Sequence, residues 1–143
     1  MATRNGSAEW HGDLQSGNGQ VTVGNGVHSG PYTHKSRFEE GEGTNPEELI
    51  AAAEAACFSM WLSNVLAEAG TPVESVSTTA RAQLRPVDGV PTITQMILKT
   101  EGVVPGIDQA RFEEAAKEAK EGCIISRALG GIPEFTLEAT LKS

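Results

Sequence analysis

Residues 44–70 read TNPEELIAAAEAACFSMWLSNVLAEAG, and this stretch decides the fold. Thr44 or Asn45 can cap a helix, Pro46 suits its first position, and Glu47 and Glu48 complement the positive end of its dipole. The run continues to Ala69, where Gly70 and Pro72 stop it. A helix over 46–69 is about 35 Å long. It is apolar nearly all round, so it is expected to be buried on most sides. Its many alanines let another backbone come close, which marks a central helix packed against a like helix. Glu54, Asn64 and Glu68 argue against a membrane span.

Upstream, residues 1–43 carry most of the glycines. Short alternating pieces such as Gln20-Val21-Thr22-Val23 are separated by Ser16-Gly17-Asn18-Gly19 and Gly24-Asn25-Gly26, which predicts a three-stranded antiparallel meander. Its last strand is expected from about Tyr32 to Phe38. Downstream the period changes to two. Val76, Thr78, Ala80, Ala82 and Leu84 alternate with polar residues, Val87-Asp88-Gly89 turns the chain, and Ile93 to Lys99 returns it. Asp108 caps a second helix over Gln109 to Glu121, with Phe112, Ala115, Ala116 and Ala119 facing inward. A short helical turn over Ile124 to Leu129 and a strand over Glu134 to Leu141 close the chain. The expectation is one α+β domain over 1–143: a strand meander (1–43), a central helix (46–69), then hairpin, helix and final strand (73–143).

The formal net charge of −8 repels phosphate backbones and anionic bilayers, so neither nucleic acid nor membrane is an expected partner. The N-terminus has no apolar stretch of the kind a secretory signal needs, so the cytoplasm is the expected compartment. Thiols stay reduced there, and two distant cysteines are not presumed to be a staple.

Cys57 lies in the middle of the apolar helix. A small hydrophobe in a core is one reading of it, and a reactive thiol is the other. Cys123 follows Gly122 and can open a new helical turn, where thiolate is favoured. Arg37 and Glu47 read equally as an exposed ion pair or as a catalytic cation with its orienting carboxylate. The spacing of His11, His28, His34 and the two cysteines matches no metal motif, so no metal is expected.

The segment RFEEGEGTNPEELIAAAEAACFSM (37–60) resembles the signature of the OsmC/Ohr family, most closely its osmotically inducible protein C branch. The likeness extends to Val104-Pro105-Gly106-Ile107-Asp108, to Gly122-Cys123-Ile124-Ile125-Ser126 and to Leu141-Lys142-Ser143. It implies a two-layer α+β fold with antiparallel sheets around a long buried central helix, assembled as an intertwined homodimer. By the same resemblance, Cys57 is the peroxidatic cysteine, Cys123 the resolving one, Arg37 the arginine at the reactive sulfur and Glu47 the glutamate that orients it. Organic hydroperoxides are the implied substrates, in defence against oxidative or osmotic stress. A lipoyl-type dithiol is the implied external reductant, with no bound cofactor. Two positions depart from the family pattern. Ile124 stands where proline commonly follows the second cysteine. Glu54 stands where a relative often has histidine, and its charge is expected to raise the pKa of the reactive thiol.

If the helix is continuous, ten positions separate Glu47 from Cys57, about 15 Å of rise. Glu47 therefore cannot serve its own Cys57, and an antiparallel second chain is expected to complete each site. Phe58, Met60, Trp61 and Phe112 are candidates for an apolar substrate pocket, or equally for ordinary core. A non-enzymatic redox sensor or binding protein using the same cysteine pair is the competing function.

Overall fold

The computed structural model describes residues 1–142. The chain divides into two compact units, Met1–Leu49 and the part from Ile50 onward.

The first unit is built on strands β1 (Gly6–His11), β2 (Asn18–Val23) and β3 (His28–Thr33), antiparallel in that order. Gly19 of the middle strand pairs with both Trp10 and Tyr32, whose rings meet at 5.2 Å between centroids. A Cβ on Gly19 would lie 2.5 Å from the Tyr32 ring and 2.5 Å from the Glu9 carbonyl, so only glycine permits this approach. Tyr32 to Phe38 is not one strand, contrary to the periodicity. The strand stops at Thr33, and His34–Phe38 forms a short helix, α1. The cause is a reciprocal cap: the Ser36 backbone N–H donates to Thr33 Oγ1 (3.1 Å), and the Thr33 N–H donates to Ser36 Oγ (2.8 Å).

Helix α2 covers Pro46–Glu68, and Asn45 is its cap, its Oδ1 accepting from the Glu48 N–H at 2.8 Å. Strands β4 (Ser75–Val87) and β5 (Val90–Val103) form the long hairpin. Both turn residues have positive φ, Asp88 at 50° and Gly89 at 81°, which suits the right-handed twist of the arms. Helices α3 (Gln109–Gly122) and α4 (Ile124–Ala128) then lead to β6 (Glu134–Lys142).

Strand β6 pairs with β5 in parallel, so the second sheet is mixed and not antiparallel as expected. The connection through α3 and α4 is long enough for a parallel crossover, which a tight turn is not.

Helix α2 also departs from expectation. Glu54, Phe58, Leu62, Val65 and Leu66 are buried, one face at helical spacing. Ala52, Ala53, Ala56, Met60 and Ala67 are exposed in the single chain. The helix is long and apolar enough to cross a membrane, but its buried face belongs to a core shared with Leu98 of β5 and with Phe112, Ala115, Ala116 and Ala119 of α3. A polar ladder, Ser59 Oγ to Thr78 Oγ1 (2.8 Å) and on to Thr100 Oγ1 (2.9 Å), fixes α2 on β4 and β5.

Phe112 is wholly buried and lies directly over Gly102, where any Cβ would come within 2.5 Å of the ring. Phe112→Ala leaves a ring-sized void there and lowers the unfolding free energy by about 3–5 kcal/mol in a urea titration.

Candidate active site

In the first unit, one asparagine organises the local geometry. Asn45 donates from Nδ2 to the Ser36 carbonyl (2.8 Å) while its Oδ1 caps α2. Ser36 Oγ in turn donates to the Thr44 carbonyl (2.8 Å). These bonds tie α1 to the start of α2 and bring Arg37 against Glu47. Arg37 donates from Nη2 to Oε1 (2.8 Å) and from Nε to both carboxylate oxygens (3.1 and 3.3 Å). Glu47 is nearly buried and Arg37 half-exposed, so the carboxylate is the fixed partner and the guanidinium keeps a free edge. Its carbon lies 5.1 Å from the Phe38 ring centroid.

That free edge borders an apolar cavity of about 260 Å³ lined by Trp10, Leu14, Tyr32, His34 and Phe38. Sequence reasoning missed these residues, because their chemistry is ordinary and only the packing of Trp10 on Tyr32 over Gly19 assembles them.

The second unit holds both thiols. Cys57 is half-buried on α2 and packs against the core that contains Cys123. Both are free. Cys123 is wholly buried and caps α4, its Sγ accepting from the Ser126 N–H at 3.4 Å. The sequence pointed to a favoured thiolate at this helix start. The structure reverses that direction: burial pushes the Cys123 thiol up, the contact with Cys57 and the charge of Glu54 add to the rise, and hydrogen bonds from Ser126 oppose it. A five-residue helix cannot offset the loss of water.

Glu54 is also wholly buried. Ser126 Oγ donates to its Oε1 at 2.5 Å, and its Oε2 has no partner among the described residues. Burial raises its pKa, opposed by the Ser126 bond and the charge of Lys120. The second sequence departure, Ile124, is exposed as the first residue of α4.

The pocket candidates do not come together. Phe58 and Phe112 are buried core, whereas Met60 is 76% exposed and Trp61 is partly exposed, packing close to Gly122. Helical spacing puts Met60, two positions on, away from the Phe58 face of α2, whereas Trp61, three positions on, lies at the edge of that face. Among the described residues, no group of three or more His, Cys, Asp or Glu side chains is placed to hold a metal ion.

The raised pKa of Glu54 has a consequence for stability. In the unfolded chain its carboxyl ionises near 4.5, while the folded one resists ionisation, so stability from this group falls as pH rises above that value. Glu54→Gln keeps an acceptor for Ser126 and removes the charge. Urea unfolding is expected to show the variant more stable than the parent by about 1 kcal/mol at pH 8, with the gain vanishing toward pH 4. A loss of stability at pH 8 would mean that Lys120 compensates the carboxylate fully.

The family model for OsmC-like protein matches residues 39–138. The peroxiredoxin OsmC of Escherichia coli is 48% identical over 141 residues, covering 98% of this chain and 97% of that protein. Among solved structures, the organic hydroperoxide resistance protein OhrB of Bacillus subtilis superposes with a TM-score of 0.73 at 25% identity, covering 96% of this chain and 98% of that one. An organic hydroperoxide resistance protein OsmC from Legionella pneumophila shares the fold, with a TM-score of 0.71 at 24% identity and full coverage of both chains. With the family model matched over residues 39–138 and a 48% identical relative matched over nearly its whole length, the chain belongs to the OsmC family.

Proposed function

We propose that this protein is a thiol-dependent peroxidase that reduces organic hydroperoxides through Cys57 and Cys123. The observation that carries the reading is a pair of free thiols in one compact unit, half-buried Cys57 packed on the core that holds buried Cys123, in a chain nearly half identical to a protein named a peroxiredoxin. On that identity the chemistry is peroxidase-type redox chemistry. Organic substrates and the roles of the individual residues are the finer part of the proposal.

The Cys57 thiolate attacks the terminal peroxide oxygen. An S–O bond forms, the O–O bond breaks, and the alkoxide takes a proton and leaves as the alcohol. Cys57 is thereby oxidised to the sulfenic acid. Arg37, its plane held by Glu47, offsets the charge on the thiolate and on the departing oxygen without losing its own proton. The Cys123 sulfur then attacks the Cys57 sulfur, the S–S bond forms, the S–O bond breaks, and the hydroxyl leaves as water with the Cys123 proton. An external dithiol reduces the disulfide by exchange, for which a lipoyl-type dithiol is our candidate. The apolar cavity beside Arg37 supports an alkyl or acyl hydroperoxide over hydrogen peroxide.

The site is composite in this proposal. Helix α2 is continuous, so Glu47 and Cys57 stand about 15 Å apart along its axis. The exposed apolar face of α2 supports a homodimer in which the partner supplies Arg37 and Glu47.

Steady-state consumption of cumene hydroperoxide with dihydrolipoamide tests the reading. Multiple turnovers are expected, abolished by Cys57→Ser and stalled after one turnover by Cys123→Ser. One equivalent consumed and no cycling with any dithiol would favour a redox sensor instead. Mixing Arg37→Ala with Cys57→Ser chains tests the shared site: recovered activity in the mixed dimer is expected, and none would refute it.

A further inference from the structure

Three features are unused by this chemistry. The first is a cavity of about 430 Å³ lined by Lys117, Lys120, Arg127 and Phe135. The second is the outward face of α2, which the homodimer proposal already uses. The third is the buried carboxyl of Glu54, and the observations carry it furthest.

A wholly buried carboxyl with one oxygen unpartnered is unfavourable, and a neutral side chain of the same size would avoid the penalty. Glu54 lies one turn before Cys57 on α2 and is bonded to Ser126, whose backbone N–H donates to the Cys123 sulfur. Ser126 thus touches both groups, its hydroxyl donating to Glu54 Oε1 and its backbone N–H to the Cys123 sulfur at 3.4 Å. A hydroxyl has a single proton to donate. While that proton is engaged by Glu54 Oε1, it is withheld from Cys123. A thiolate formed on a sulfur with no exposure needs such donors, because water cannot supply them.

We propose that Glu54 is a positioning residue that restrains the resolving thiol: by engaging the Ser126 hydroxyl and placing a carboxylate beside Cys123, it delays closure of the Cys57–Cys123 disulfide. The proposal rests on the two-cysteine reading above. The delay lengthens the life of the Cys57 sulfenic acid, and closure follows the balanced step already given. The groups acting on Glu54 are Ser126 of α4 and Lys120 of α3, while the two thiols flank it, Cys57 on its own helix and Cys123 at the cap of α4. Lys120 is itself held by the Phe135 carbonyl at 3.0 Å and lies over the Phe135 ring at 4.5 Å. The upward shifts of both Glu54 and Cys123 agree with this arrangement.

The test uses the full chain with Cys57→Ser, which leaves Cys123 as the only thiol and requires no peroxide. Its thiolate is titrated by ultraviolet absorbance. Glu54→Gln removes the charge, and Glu54→Met removes the acceptor as well, so either variant that folds decides the matter. The midpoint is expected to fall in the order parent, Gln, Met, with Met raising the thiolate fraction near neutral pH about tenfold. In a Ser126→Ala background most of that difference is expected to vanish. An unchanged midpoint in both variants overturns the proposal. So does a shift that persists in full without the Ser126 hydroxyl, since Glu54 would then act by charge alone. With both cysteines present, Glu54→Met should close the disulfide faster after a peroxide pulse. If the chain ignores peroxide, the peroxidase reading fails while the titration still judges Glu54.

Discussion

Along α2, five residues from Glu54 to Leu66 enter the core, while Ala52, Ala53, Ala56 and Met60 face outward. Apolar area left in water forgoes roughly 25 cal/mol for each Å² that burial would have gained. A helix of 23 residues with core on one side and alanines on the other is therefore incomplete by itself. The alanines lower the barrier to a partner: with no more than a methyl group on each, the backbones of two such helices can approach closely. The same helix carries Glu47 at its start and Cys57 at its middle, so whatever covers the outward face also bears on the chemistry.

Much of this architecture was legible from residue chemistry. Pro46 with two glutamates, Gly70 with Pro72, and Asp88-Gly89 between alternating runs each act within a few residues, and the helix and hairpin form where those signals put them. The inward stripe of α3 was legible for the same reason. The signals that failed depend on competition or on distance. Thr33 and Ser36 form a cap strong enough to end a strand whose alternation continues past it. The parallel pairing of β6 depends on where a long connection delivers the chain, which period-two alternation does not encode. Burial of α2 on most sides was inferred from composition alone, but composition does not say how many sides one chain can supply.

The candidate site divides along the same line. Cys57, Cys123, Arg37 and Glu47 stood out through a resemblance, and the Arg37–Glu47 bonds and the packing of Cys57 on the core that holds Cys123 are local facts of the fold. The apolar wall beside Arg37 was not legible, because Trp10 and Tyr32 meet only when Gly19 is paired between them. Phe58 and Phe112 were drawn toward a pocket by their chemistry and are core instead, because their neighbours on α2, α3 and β5 enclose them.

Glu54 is where local and global demands conflict. A polar residue in the buried face of an apolar helix works against stability, and such conflicts concentrate where function constrains the chain. Ser126 satisfies only one of its oxygens, and Lys120 supplies charge without appearing among its hydrogen-bond partners. On the two-cysteine proposal, a resolving cysteine gains from being slow in one circumstance: when the oxidised Cys57 must persist long enough to react elsewhere or to let the alcohol leave. Burial alone pushes the Cys123 thiol up, but burial is fixed once the chain has folded. In the proposal above, the Glu54 carboxyl holds the Ser126 hydroxyl, and a single rotation about the Ser126 side chain relieves it. It therefore restrains the thiol without preventing the disulfide from closing.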